Sequence, residues 1–491
     1  MARYTTVTAK EPLLLFSYLK HKNIASIVAL AAAFVGLNWT PAYASDEGAM
    51  VHVRSFDDIA KANEGHRAAG SAGYDASAEY VARTLQAAGY EVRMEEFSFP
   101  FFEERSPPTL SLVAPNNGPS IALGDIQTLR RSGTGQVVGG LSPVDLDLNE
   151  GTTPTASTSG CEPEDFRGFG AGRVALLRRG TCTFQVKVDN AVAAGAAAVV
   201  VMNEGTPGRL DRFSGVLPTA AAIPVVAISF EQGRALASRT GAQVSVKVDA
   251  AVGTRTTRNV LADTRIGHPD EVVVVGAHLD SVREGPGMND NASGSAAVLQ
   301  AAVRLARSNV SVRHHVRFAF WSAEELGLLG SKHHVAQLSD VEREAMRLYI
   351  NLDMVGSRNF GRFIYSSPQS SQGLYPVALA ALREHFRQRD LPFEERMVGG
   401  RQRTASDDAS FAARGIPTLG LYTGAGERKN DAQGALFGGA VGQPFDACYH
   451  QACDTTDNVE GTVLNDMSEA LFAALIASAA PDMGAKQPNV P

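Results

Sequence analysis

Apolar positions along the chain fall into a short leader-like run and three longer stretches of different rhythm. The leader run covers residues 24–37 and is too short to span a bilayer, which needs about 20 apolar residues. Residues 74–88 set Tyr80, Val81, Leu85 and Ala88 at helical spacing, and Gly89 closes the pattern. Residues 90–99 then alternate apolar with polar, as a half-buried strand does. From about 106 to 250 the character changes. Short apolar runs at 174–177, 198–202 and 223–228 predict strands, with an alanine-rich helix near 184–195, amid many Gly, Thr, Ser and Pro residues. From about 255 to 480 strands and helices alternate. Val272 to Val275 is a continuous apolar strand, as expected where a sheet is covered on both faces. A helix at 293–307, a strand at 315–321, a helix at 323–337 and a strand at 347–352 follow. This βαβ rhythm predicts an α/β fold with a mostly parallel sheet covered by helices on both faces.

Charge and small residues give the leader its meaning. Lys20, His21 and Lys22 precede the apolar run, and Pro41, Ala42, Tyr43, Ala44 and Ser45 follow it with small residues at 42 and 44. This is the order of an export signal with its cleavage site, so residues 1–44 are expected to be removed. The formal net charge of the 491 residues is −7, and it becomes −10 without the leader. A nucleic-acid binder would show a basic excess, so no nucleic-acid partner is expected. No later segment has 18 consecutive apolar residues, so no stable membrane association is expected after signal cleavage. The protein is expected to be secreted or periplasmic. Four cysteines in such a chain cannot be its main source of stability, and they allow three connectivities.

Chemistry gathers past the C-terminal ends of the predicted strands, where open α/β sheets place their ligands. The first strand runs into His278 and Asp280 and then a loop carrying Asp290; the next runs into Glu324 and Glu325, and the third into Asp353. Much later, Tyr449 and His450 lie between Cys448 and Cys453, in what would be a six-residue disulfide loop. A lone histidine or Asp at a strand end is usually structural. Three successive strands delivering acid or imidazole to one edge point instead to a divalent metal, zinc above all. One zinc needs only three protein ligands and a water. At least five candidates converge here, which predicts two Zn²⁺ bridged by a carboxylate.

The motifs Gly276-Ala277-His278-Leu279-Asp280, Asn289-Asp290-Asn291, Trp321-Ser322-Ala323-Glu324-Glu325, Asn351-Leu352-Asp353-Met354 and Cys448-Tyr449-His450 resemble those of the secreted co-catalytic di-zinc leucine aminopeptidases. Gly160-Cys161, Asp165-Phe166, Arg179-Gly180, Cys182, Phe184, Lys187 and Asn190-Ala191 resemble a protease-associated domain. The resemblance implies a zinc exopeptidase-like mixed sheet at 45–105 plus 251–480, interrupted by an α+β protease-associated domain at 106–250. Composition, with Gly, Lys, Gln and Pro, predicts a flexible tail at 481–491. His278 and Asp353 would hold one zinc and Glu325 and His450 the other, with Asp290 bridging. Glu324 would be the general base, taking a proton from a metal-bridging water and passing it to the leaving amine. Asp280 would orient the His278 imidazole, and Tyr449 would hydrogen-bond the oxyanion. The substrates implied are peptides or proteins with a free N-terminus, led by a large apolar residue such as leucine. Met354, Phe411 and Ile416 are candidate walls of the substrate pocket, or equally core residues.

One departure concerns Ser406-Asp407-Asp408, where family members commonly carry His or Tyr after Ser-Asp. The extra carboxylate of Asp408 is expected to affect selectivity or pH dependence rather than to bind metal. The arginine that often precedes Ser-Asp is displaced, with Arg403 the nearest candidate. The two-domain reading selects Cys161 with Cys182 and Cys448 with Cys453 as disulfides, while zinc ligation by Cys448 and Cys453 is the alternative. His314, His315, His333 and His334 belong to no H-E-x-x-H motif and read as structural. There is no G-x-S-x-G elbow for a serine hydrolase. Two rival functions remain: a carboxypeptidase or dipeptidase of the same fold, and a metal-free binding or receptor-like homologue.

Overall fold

The computed structural model describes residues 48–113, 121–148, 156–239, 241–308, 310–366, 373–397 and 406–480. The expected export signal at 1–44, the expected tail at 481–491 and Arg403 lie outside the described residues. Among the described residues, no helix is long and apolar enough to cross a membrane.

The sheet is mixed and mostly parallel, as its strand rhythm predicts. His268–His278 lies at its centre, flanked in parallel by His314–Trp321 and Met346–Leu352, with Thr418–Tyr422 parallel beyond. Phe363–Ser366 joins antiparallel at that side, and Gln243–Asp263 joins antiparallel beyond His314–Trp321. The apolar run on the central strand is buried on both faces. Val273, Val275 and Ala277 enter one core with the helices Met50–Ala62, Gly294–Arg307 and Gly461–Ala479, while Val272 and Val274 enter another with Trp321, Tyr349 and Phe411. Gly276 faces the second core and its lack of a side chain matters, because a Cβ there would lie 2.8 Å from both the Trp321 indole nitrogen and the Tyr349 hydroxyl.

Two of the strands are much longer than the sequence suggests. Glu91–Leu112 and Gln243–Asp263 pair antiparallel along most of their length, and the only breaks in register fall between Glu104 and Thr109. This ribbon carries the chain out of the central sheet and back. At its far end Gly135–Pro143 pairs with Gln243–Asp263, followed by Val174–Arg178, Ala198–Met202 and Val225–Ile228 in parallel. Those three short strands are buried at every residue, so they too form a doubly covered layer. The helix Phe184–Ala193 packs on it, its N-terminus capped by the Thr183 hydroxyl, which accepts the Val186 N–H.

The helix expected at 323–337 begins later, at Leu329. Ala323, Gly327 and Leu328 all have positive φ, so residues 322–328 form a compact turn instead of a first helical turn. Periodicity alone does not see this, since Leu326, Leu328 and Leu329 read as one continuous helical pattern.

Candidate metal and substrate site

Parallel register brings the candidate ligands to one edge. Trp321 stands opposite His278, and Asn351 stands opposite Gly276, so the chain leaves three adjacent strands at nearly one level. His278 ends its own strand, Glu324 and Glu325 follow Trp321 within the compact turn, and Asp353 follows Leu352. Ala323, Met354 and His450 each take a left-handed backbone conformation beside or within this group. Non-glycine residues held at positive φ are concentrated where a side chain must be aimed against local preference.

The distances are those of a shared cation. His278 Nε2 lies 3.3 Å from Asp290 Oδ1 and 3.3 Å from Asp353 Oδ1, while His450 Nε2 lies 3.2 Å from Asp290 Oδ2 and 3.1 Å from Glu325 Oε2. Ligands about 2.0–2.1 Å from a tetrahedral zinc stand roughly 3.3 Å apart. The two oxygens of Asp290 therefore reach two different imidazoles, each of which meets a further carboxylate. Glu324 Oε2 is 4.0 Å from His278 Nε2, the longest of these contacts. Glu325 Oε1 is buried with no hydrogen-bond partner. The donor set, imidazole nitrogen with carboxylate oxygen, suits zinc.

Electrostatics agree. Burial, together with the nearby carboxylates of Asp407, Asp353 and Glu325, pushes Glu324 well above the usual carboxylate range against the pull of His278. Burial and Asp290 push Glu325 up to about 7. Burial opposes the charged form of His450, yet its bonds to Asp290 and Glu325 raise it to about 10. Asp290 is held down by the two imidazoles despite its burial. So many acids crowded beside two imidazoles is an arrangement that a divalent cation stabilises.

The supports are as informative as the ligands. His278 Nδ1 lies 3.1 Å from the backbone oxygen of Asp280, which sets Nε2 as the free nitrogen facing Asp290 and Asp353. The Asp280 carboxylate is farther, at 3.8 Å, and accepts the Glu324 N–H at 3.1 Å. Asp280 thus orients the imidazole through its carbonyl, and its carboxylate fixes the turn bearing Glu324. Arg67 is fully buried and donates to the carbonyls of Pro286 and Gly287 at 3.0 and 2.7 Å, and to Leu279. Asp446 accepts from Asn289 Nδ2 at 2.6 Å and from the Cys448 N–H at 2.8 Å. Asn458 bonds both Asp446 and Asp454. Sequence reasoning missed Arg67, Asp446, Asp454 and Asn458. An isolated Asp or Arg in a loop carries no periodic signal, although the Asp-rich stretch after Phe445 was visible.

Both proposed disulfides are present, Cys161–Cys182 with a Cα separation of 5.8 Å and Cys448–Cys453 with 5.3 Å. The second closes the loop carrying Tyr449 and His450, so its sulfurs are bonded to each other rather than to metal. Tyr449 is partly exposed and its ring stacks on His450 with centroids 3.8 Å apart. His334 bonds Glu95 at 3.0 Å and His315 bonds Asp263 at 3.1 Å, both away from the site.

A cavity of about 1030 Å³ opens beside the cluster, lined among others by Met354, Leu328, Leu421, Tyr365, Tyr422 and Asp408. Met354 is among the lining residues. Phe411 and Ile416 are not: both are buried in the core behind it. Phe411 stacks on Tyr349 with centroids 3.9 Å apart and planes 7° from parallel. From Tyr349 a chain of hydrogen bonds runs to Asn351 at 2.7 Å and on to Ser406 at 2.9 Å. Phe411 is thus linked to the lining residue Asn351 through Tyr349. For these two apolar side chains the core alternative is the one the structure shows.

The comparisons with known proteins agree on one family. Residues 259–475 match the model of peptidase family M28, and residues 144–236 match the PA domain. An aminopeptidase of Pseudomonas aeruginosa is 42% identical over 427 residues, covering 85% of this chain and 78% of that protein. A probable lipoprotein aminopeptidase of Mycobacterium tuberculosis is 35% identical, covering 90% of this chain and 86% of its own length. Among solved structures, a zinc aminopeptidase from Bacillus subtilis superposes with a TM-score of 0.61 at 25% identity, over 89% of this chain and 97% of that one. The family implies zinc. With its cluster at the edge of a mixed sheet and a PA domain carried on the long ribbon, the chain belongs to peptidase family M28.

Proposed function

We propose that the protein is an exported aminopeptidase with two Zn²⁺, releasing large apolar residues such as leucine from the N-terminus of peptides. The observation that carries this reading is Asp290, whose two oxygens lie 3.3 Å from His278 Nε2 and 3.2 Å from His450 Nε2. His278 and Asp353 would hold one ion and Glu325 and His450 the other, with Asp290 within reach of both pairs. Bound Zn²⁺ supplies Lewis acidity that polarises the scissile carbonyl and acidifies water. Glu324 accepts the proton of the attacking water and returns it to the leaving amine, a role its raised affinity for protons suits. Tyr449 donates its O–H to the oxygen that gains charge as the carbonyl becomes tetrahedral. Glu324 and Asp353 receive the free α-ammonium of the substrate. Met354, Leu328 and Leu421 line the cavity beside them and support an apolar first residue. Export is supported by the two disulfides.

The test pairs leucyl-p-nitroanilide with an N-acetylated peptide, with and without a chelator, and counts zinc per folded chain. The expected result is chelator-sensitive hydrolysis of the free-amine substrate alone, with two zinc ions bound. No hydrolysis of the anilide ends the aminopeptidase reading, and cleavage at the other end of the acetylated peptide replaces it with a carboxypeptidase. Fewer than one zinc per chain favours a metal-free homologue.

A further inference from the structure

A second cavity, of about 1010 Å³, lies between the peptidase region and the PA region. One wall is the stretch 101–108 of the long ribbon, a second is the segment 123–127 with Arg130 and Arg212, and a third is the loop 280–284. Glu325 and His450 line this cavity and the first one as well. The two cavities thus meet at the proposed metal centre. We propose that this interdomain cleft binds the polypeptide substrate downstream of the scissile bond, so that the PA region forms part of the substrate path.

Three features support that occupant. A first residue seated beside Met354 places its carbonyl at the centre, and the chain that follows must then leave past Glu325 and His450. An extended chain advances roughly 3.3–3.6 Å per residue, so a cleft of this volume, about 10 Å on a side, takes about three residues. Next, the lining pairs apolar surface from Phe101, Pro107 and Leu326 with a fixed cation. Arg283 lines the cleft with its side chain 28% exposed, and Glu103, 2.5 Å from Nη2, holds it in place. A fixed guanidinium at the wall offers charge-assisted hydrogen bonds to a peptide carbonyl or terminal carboxylate. Finally, stretch 101–108 belongs to a strand that pairs with Gln243–Asp263 along one edge, and among the described residues no strand pairs with its other edge before Leu110. An unpaired strand edge offers main-chain hydrogen bonds to an extended peptide whatever its sequence.

The inference rests on the aminopeptidase reading, and the experiment separates the two. Gly124 lines the PA side of the cleft, and a Cβ built there meets nothing within 4 Å, so Gly124→Trp narrows the cleft without disturbing the fold. The first readout is kcat/KM for a leucine-led tetrapeptide divided by that for leucyl-p-nitroanilide, which ends where the cleft begins. This ratio is expected to fall about ten-fold in Gly124→Trp and about five-fold in Arg283→Gln, mainly through KM, with Arg283→Lys restoring most of it. In the intact enzyme kcat/KM should rise from dipeptide to tetrapeptide and then level off. The second readout is calorimetric binding of an N-acetylated tetrapeptide, which needs no turnover and should weaken about five-fold in Gly124→Trp. An unchanged ratio in both variants, or unchanged peptide binding, overturns the cleft proposal. An intact enzyme inactive on the anilide ends the aminopeptidase reading, and the binding measurement still decides the cleft.

Discussion

The carboxylate of Asp454 accepts two consecutive backbone N–H groups, that of Asn289 at 2.8 Å and that of Asp290 at 3.0 Å. Asp454 directly follows Cys453, so one side chain fastens the loop bearing Asp290 to the loop bearing His450. Burial pushes its affinity for protons up to about 7, against the hydrogen bonds that favour the charged form. In Asp454→Asn one of those acceptors becomes a donor facing an N–H, and Asp290 loses its fixed position between the two imidazoles. Zinc affinity is expected to fall about 10–100-fold, the range typical when outer partners of metal ligands are lost. Competition with a chromophoric chelator measures it, while circular dichroism checks that the fold persists. Unaltered affinity would mean that the Asp290 loop is held by the rest of the network alone.

Glu324 stands apart from the proposed ligand pairs by distance, at 4.0 Å from His278 Nε2 where the others lie at 3.1–3.3 Å. Glu324→Ala should therefore lower kcat by about 10²–10⁴-fold, the usual worth of a general base. Bound zinc should stay near the wild-type content, measured by atomic emission on the same sample. If metal is lost in parallel with turnover, Glu324 is a ligand instead.

Much of this architecture was legible in the sequence because strand ends carry their chemistry with them. The apolar run before His278 and the strands read at 315–321 and 347–352 place three strand ends together, and parallel register does the rest. What was not legible depends on contacts remote in sequence. Arg67 bonds carbonyls more than 200 residues away. The sixteen-residue helix Ala72–Ala87 was read within two residues, yet the strand read over 90–99 continues to Leu112, because the alternation stops at Phe99 while the pairing with Gln243–Asp263 goes on through Pro107 and Pro108. They are tolerated where the register already slips and the second edge is unpaired.

Phe411 shows the same limit at a single position. Its ring supports Tyr349, and through Tyr349 the chain to Asn351 and Ser406. Phe411→Ala should destabilise the protein by about 3–5 kcal/mol, as for other buried aromatic deletions. The relative kcat/KM for leucyl and alanyl anilides should scarcely move. A large shift in that ratio, with stability intact, would restore Phe411 to the pocket wall.

The two disulfides divide stability from activity. By loop-closure entropy, Cys161–Cys182, with a separation of 21 residues, stabilises by about 3 kcal/mol, and Cys448–Cys453, with a separation of 5, by about 2 kcal/mol. Replacing both cysteines of the first pair by Ser should lower the unfolding midpoint more. Replacing both of the second should cost more activity, because that loop positions His450 and Tyr449. Denaturant unfolding set beside anilide turnover for the two double variants gives both orders. If gentle reduction releases zinc before any unfolding, the short loop holds the metal site more directly than its entropy implies.

Asp263 supplies a pH dependence that does not involve the metal site. It receives Arg317 through both oxygens, at 2.8 and 3.2 Å, and His315 at 3.1 Å. Burial alone would raise its proton affinity, but these partners prevail and hold it down from an ordinary 3.8 to about 2. A carboxylate held down in the folded state stabilises the fold above its unfolded value and loses that contribution as pH falls through the folded one. The contribution is therefore full above about pH 4 and vanishes near pH 2, with a size of about 2 kcal/mol. Glu95, which His334 holds down to about 2 despite its burial, titrates in the same window. The difference between wild type and Asp263→Asn removes that common loss. Urea unfolding of both, in chelator so that metal release contributes nothing, should show the variant less stable at pH 6, with the gap closing between pH 4 and 2. A gap that stays constant over that range would mean that Asp263 acts through packing and not through its charge.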